Sequence, residues 1–275
     1  MIIDTLLSHF GVTSNRAKAT AYGTITLLTL LLVWIMSTSM FQLIEPRVLP
    51  SPSTVVSKYI QIITEPFSGL TLDGHIYESV RRWGWGVFFA MIIGIPVGVM
   101  FAWVPWFRTL TYPIFELLHF IPPFAYIPLA VLWFGASTAT QAMVVFVAAF
   151  PAFVINSELG VSQVDKIYVD AARVFGAKRF ATLRRVVIPA AAPSIFQGLR
   201  IAISNGWMAL VGAELVVGKV GLGFMISQGQ ENASVSTIFV GLITIGVLGA
   251  VIDNIIQRSE RWILPWRRNV TVNNG

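Results

Sequence analysis

Few side chains in this sequence could do chemistry inside an apolar environment, and they fall in short groups. Glu116 and His119 stand three residues apart, so on a helix they share a face. They either pair with each other or border a pathway, and Pro122, Pro123 and Pro128 just beyond them break a helix and free its carbonyls. Ser204, Asn205 and Gly206 make a polar, flexible point, with Trp207 beside it and Glu158 standing alone upstream. That point suits either close helix packing or the lining of a pathway. Glu214 precedes the glycine-rich run "GKVGLGFMISQG". An ionised carboxylate there would repel an anion, so it is expected to tie the loop by accepting from backbone N–H groups. Gly221 and Gly223 would let that loop turn back toward a gate, plugged by Phe224 and Met225. Polar residues within apolar segments are costly and face a cavity or the bundle interior, which makes these the candidate pathway or gate residues.

None of these groups assembles into a catalytic spacing of Ser, His and acid. His9, His75 and His119 are scattered, and the absence of cysteine excludes disulfides and thiolate metal sites. No GxxxxGK[ST] phosphate loop occurs; "GAKRFAT" from Gly176 lacks the second glycine and the Lys-Ser/Thr ending. The expectation is a chain without enzyme activity, metal or cofactor of its own.

The elements that position these residues read as membrane helices. The 275 residues are 55% hydrophobic and 12% charged. The apolar residues come in blocks, each long enough for the roughly 20 residues that cross a hydrocarbon core of about 30 Å. Six spans follow: 21–43, then within 83–104, 110–134 and 138–157, then about 188–211 and 236–256. The first is longer than a signal-peptide core and lacks a cleavage site, so it is retained. The fold class is an all-α membrane protein of one domain, residues 1–275, with an N-terminal span and a core over 83–256.

Six spans place both termini on one side. With both inside, fourteen of the nineteen Lys and Arg lie inside and Arg47, Lys58, Arg81, Arg82 and Lys219 remain outside. The net charge of +6 is thus a topology signal rather than a nucleic-acid footprint. Outside, Ser51-Pro52-Ser53 starts a helix whose Val55, Val56, Tyr59, Ile60 and Ile63 would lie along the membrane surface. Trp83, Trp85, Trp103, Trp106 and Trp133 suit interfacial belts.

Inside, residues 165–187 carry six basic and two acidic residues: a surface helix, a turn at Gly176, and a second helix leading to Pro189, which opens the next span. Charge alone would lay this loop on anionic lipid. Its spacing says more. Asp170-Ala171-Ala172, three residues, Gly176, nine residues and Val186-Val187-Ile188-Pro189 resemble the EAAxxxGx(9)IxLP signature of membrane subunits of ATP-binding-cassette importers, with Asp170 where Glu is usual. "LPSPSTV", "IIGIPVGVMFAW", "IPPFAYIPLAVLWFG", "GLRIAISNGWMALVGAEL" and "GLGFMI" are similar to the taurine, alkylsulfonate, nitrate and bicarbonate branch of that family.

The resemblance implies a type I importer permease: five core spans plus one, moving its cargo by alternating access. Residues 165–182 would be the coupling helix, with Asp170, Ala171, Ala172, Gly176 and Pro189 as the ATPase-coupling residues. It implies a second copy of the chain, two ATPase subunits that bind ATP and Mg, and a periplasmic or lipid-anchored binding protein. The setting implied is a bacterial inner membrane. Taurine or a related sulfonate is the expected cargo, with nitrate, nitrite or bicarbonate as the alternative. A secondary transporter is the rival of another class, and no internal repeat supports it.

Overall fold

In a computed structural model, residues 15–263 are described, and they are helical apart from short connections and one isolated bridge between Phe67 and Leu70. The polar ending 269–275, expected to be unordered, lies outside the described residues. Helix α1 (Asn15–Ile35) runs on through a π-turn, Met36–Met40. Next come α2 (Pro52–Thr64), α3 (Leu72–Trp103), α4 (Pro105–His119) and α5 (Ile127–Phe134). They are followed by α6 (Thr138–Ser162), α7 (Lys166–Val174), α8 (Arg179–Thr182) and α9 (Ile188–Val217), and finally α10 (Leu222–Glu231) and α11 (Val235–Ile263).

The core is α6 sandwiched between α3 and α9. Close approach is built into α3, where Gly86, Ala90, Gly94 and Gly98 recur every fourth residue and stack on one face. A Cβ on Gly98 would overlap the Val154 carbonyl oxygen, and one on Gly86 would meet Val145. Val145, Ala149, Ala152 and Phe153 of α6 fill the opposite side with almost no exposure. Helix α1 behaves differently: Leu27, Leu28, Leu30 and Leu32 are exposed, as a lipid-facing span requires. It is fastened at its end, where Trp34 Nε1 donates to the Pro50 carbonyl at 3.0 Å and its ring meets Phe239.

Among the described residues, five helices are individually long and apolar enough to cross a membrane. A sixth exists only as a broken pair: the span expected within 110–134 is α4 and α5, turned 94° from one another. The prolines cause this, because Pro122 and Pro123 lack the N–H groups that would continue α4 into α5. The expected break before Pro189 is absent. Arg179 to Val217 runs as one 39-residue helix, with a π-turn at Leu183–Val187 just ahead of the proline. Widening the helix there makes room for the Pro189 ring.

Helix α2 starts where expected, with Ser51 Oγ accepting from the Thr54 N–H at 3.3 Å. Its apolar residues divide between two faces. Val55 and Ile62 are buried, while Val56, Ile60 and Ile63 remain exposed. Trp83 is no belt residue either. Because α3 begins at Leu72, Trp83 lies inside the helix, donating to the Ile203 carbonyl at 3.3 Å and meeting Trp207 edge-on.

Candidate functional site

The polar chemistry of the bundle concentrates where α3 meets the loop between α9 and α10. His75, Ser79 and Arg82 recur at i, i+4 and i+7, so α3 presents them as one stripe. Glu214, fully buried near the end of α9, accepts from Arg82 Nη1 at 3.0 Å. Ser79 Oγ lies 2.8 and 2.9 Å from its two oxygens, and the Gly223 N–H donates to it at 2.9 Å. The same guanidinium donates to the Val220 carbonyl at 2.6 Å and pairs with Glu78 at 3.2 Å. The Leu222 N–H donates to Ser79 Oγ and the Gly221 N–H to His75 Nδ1, at 2.9 and 3.0 Å. His75 Nε2–H then donates to the Phe67 carbonyl at 2.9 Å, the tautomer that these partners require. Three successive buried backbone N–H groups are thus satisfied by side chains. Gly221 is obligatory there: its φ is +122°, and a Cβ would overlap the Glu214 carboxylate.

Glu214 therefore holds the loop, with more partners than the backbone N–H groups expected from sequence. A span that starts at Trp83 leaves Arg82 as an external loop charge, so the sequence does not announce His75, Ser79 and Arg82 as partners. The available signal was the helical spacing of the three polar residues. Two gate assignments need correction. Met225 is fully buried in the core beside Leu222, and Phe224 stacks on the His75 ring instead of entering an opening. Trp207 is likewise a core residue, 7% exposed, with Nε1 donating to the Ile245 carbonyl at 3.3 Å.

The second site is the hairpin of α7 and α8. Asp165 caps α7 by accepting from the Ile167 N–H at 3.0 Å. At the other end the Gly176 N–H donates to Arg173 O at 2.9 Å and the Ala177 N–H to Ala172 O at 3.0 Å. These bonds, with Gly176 at φ +78°, form a Schellman cap. The offset between Ala172 and Gly176 is the geometry of that cap, since the 6→1 bond begins one residue past the left-handed glycine. Asp170 pairs with Arg173 at 3.3 Å, and Ala171 is exposed. Around the cap, Ile167, Tyr168, Val174, Phe175 and Phe180 stand exposed, Phe175 by 90%. These apolar side chains stand outside the core on a well-capped hairpin. Arg179 anchors the hairpin to the core: it donates to the Trp103 carbonyl at 2.7 Å and lies over that indole at 5.7 Å.

The third feature is a cavity of about 640 Å³ beside the break between α4 and α5. His119 and Asn205 line it, so two of the expected pathway residues come together across α4 and α9. Glu116 and Ser204 are exposed but do not line it. Glu116 and His119 do not form an ion pair. His119 Nδ1 lies 3.2 Å from the Glu116 carbonyl, and the imidazole stacks on Phe115. Glu158 pairs with Arg108 at 3.0 Å.

A bundle of apolar helices long enough to span a membrane, with a cavity at a broken helix and a capped hairpin bearing exposed apolar side chains, fits a membrane transport component. Residues 94–265 match the family described as "Binding-protein-dependent transport system inner membrane component", and the chain belongs to it. It is a multi-pass inner-membrane protein and the permease component of an ABC importer. It is 34% identical to the taurine transport system permease protein TauC of Escherichia coli (strain K12), over 89% of each chain. It is 33% identical to the nitrate import permease protein NrtB of Synechocystis, covering 79% of this chain and 81% of that one. The bicarbonate transport system permease protein CmpB of Synechococcus elongatus is 37% identical over 68% of this chain and 67% of its own. The fold is that of a chain of the MetNI methionine ABC transporter in an inward-facing conformation, with a TM-score of 0.54 and 21% identity over 68% of this chain and 95% of that one.

Proposed function

We propose that the chain imports taurine or a related sulfonate as a single-domain permease paired with a second copy of itself. Two ATPase subunits, which bind ATP and Mg, dock on the hairpin at Asp170, Ala171, Ala172 and Gly176. A binding protein delivers cargo to the opposite face. Both termini are cytoplasmic, on the side of the basic hairpin.

One observation carries this reading: the hairpin is rigidly capped, apolar on its exposed side and continuous with the core. Motion imposed on it reaches α3 through Arg179 and Trp103, and reaches α9 along one unbroken helix. That helix is 39 residues and roughly 58 Å long, and near its far end Glu214 grips the loop before α10. A closing motor below and the Glu214 clamp above are thus joined by a single lever, the arrangement alternating access needs. Nucleotide shifts this equilibrium only by binding the motor better in one of the two states.

The test is Gly176→Val in the reconstituted complex. A Cβ at Gly176 meets nothing within 4 Å, so the change strains the backbone of the cap without a clash. Taurine uptake driven by ATP, measured in proteoliposomes with the cognate binding protein, is expected to fall about 5- to 30-fold while ATP hydrolysis continues, the equivalent of a strain of about 1–2 kcal/mol at the coupling turn. Uptake at the unsubstituted rate removes the coupling role. Stimulation by nitrate or bicarbonate in place of taurine moves the cargo to that alternative.

A further inference from the structure

Helix α11 meets the α9 lever along one stripe. Ile245, Gly249, Asp253 and Gln257 recur every fourth residue of α11, and Arg200 and Trp207 stand one heptad apart on α9. In the upper part of the stripe Trp207 Nε1 donates to the Ile245 carbonyl at 3.3 Å, and Gly249 leaves room for the indole, since a Cβ there would lie 3.2 Å from Nε1. In the lower part Arg200 donates through Nε to Asp253 Oδ1 at 2.9 Å and through Nη2 to Oδ2 at 3.2 Å. Gln257 Nε2 donates to the same Oδ2 at 2.7 Å, which holds the carboxylate toward the fork. Arg200 lies roughly 25 Å of helix below Val217, and Asp253 roughly 27 Å below Val235. Both therefore sit near the inner edge of a hydrocarbon core about 30 Å thick.

Both side chains of this pair are nearly half exposed, and an ion pair so accessible adds little to stability. What a two-pronged guanidinium–carboxylate contact does fix is direction as well as distance. The Trp207 bond alone would let α11 swing about one point. A second tie, about 10 Å further along α9, removes that freedom. At its upper end α11 follows α10, whose leading loop Glu214 of α9 already grips. We infer that Arg200 and Asp253 are positioning residues of the transport cycle: their pair fixes the inner half of α11 to the α9 lever, so that the two helices move as one body when the hairpin is driven. The inference rests on the importer reading above and assigns α11 to the moving part.

The sequence contains no cysteine, so Arg200→Cys with Asp253→Cys introduces a unique thiol pair in each copy. The test bridges that pair with a bis-methanethiosulfonate whose spacer is as long as the ion pair it replaces, in the full permease–ATPase complex in proteoliposomes with the cognate binding protein. Unbridged, the double variant is expected to keep its melting temperature and its ATP hydrolysis while taurine taken up per ATP falls at least about fivefold. Bridging is expected to restore that ratio to within about twofold, and to proceed to the same yield with and without ATP. Normal uptake in the unbridged variant overturns the inference. So does a bridge that abolishes uptake or that forms in one nucleotide state alone, because the pair would then be a latch that opens during the cycle. If the cysteine variant fails to fold, exchange of the charges decides: Arg200→Asp alone is expected to lower the ratio about fivefold, and addition of Asp253→Arg to recover most of it. Failure of the exchange to recover it overturns the inference. Equal bridging in both nucleotide states, in a complex whose unsubstituted form couples no ATP to uptake, supports the shared motion and overturns the importer reading. Full coupling in both the unsubstituted and the unbridged complexes does the reverse.

Discussion

Replacing Arg82 with Met tests the clamp most sharply. The substitution keeps the volume and helix propensity of the side chain but removes the cation from a fully buried carboxylate. Breaking a buried pair from one side costs about 3–5 kcal/mol. Ser79 and the Gly223 N–H still serve Glu214, which sets the expectation at the lower end, about 3 kcal/mol. The Val220 carbonyl, only half-buried, adds little to that. At about 1.4 kcal/mol per decade, the loop opens roughly 100-fold more often. Hydrogen–deuterium exchange read on a peptide covering residues 219–225 is the assay, with thermal unfolding in detergent beside it. Adding Glu214→Gln to Arg82→Met leaves no unpaired charge and is expected to recover about 2 kcal/mol, a coupling visible in a double-mutant cycle. Exchange within twofold of the unsubstituted protein, or a double variant no better than Arg82→Met, refutes the reasoning.

Two further perturbations address the packing and the hairpin. Gly98→Ala gains about 1 kcal/mol of helix propensity but drives a methyl into the Val154 carbonyl, so a net destabilisation of about 1–3 kcal/mol is expected as a lowered melting temperature. Gly23→Ala, with nothing within 4 Å of its Cβ, makes the same chemical change and is expected to be neutral or mildly stabilising. Phe175→Asp puts a charge on a side chain that is 90% exposed. The melting temperature should hold while co-purification of the ATPase subunit falls at least about tenfold, the loss expected at a buried aromatic anchor. Full ATPase recovery with this variant would take Phe175 out of the docking surface.

The membrane class, the presence of the long apolar runs, the Ser51 cap and the Gly176 turn were legible in the sequence because each depends on near neighbours. Twenty consecutive apolar residues specify a spanning helix whatever else the chain does, and the Ala172–Gly176 offset is itself the local geometry of a Schellman cap. The 94° turn between α4 and α5 was signalled by its prolines, although its angle was not. Glu214 was marked for the same local reason, a carboxylate in an apolar run beside glycines.

What Glu214 touches was not legible. Arg82 is 132 residues away in the chain and Ser79 is 135, and in the sequence one is a loop charge and the other an ordinary hydroxyl. Only the packing of α3 on α9 turns them into the partners of a buried carboxylate, by removing the water that would otherwise have served all three. The same packing put Trp207 and Met225 into the core, and it brought His119 and Asn205 to one cavity. The sequence by itself determined that apolar helices form and which family they build. The tertiary structure decided which polar groups are paired and which face an opening, because burial belongs to the assembled bundle and to no single segment of it.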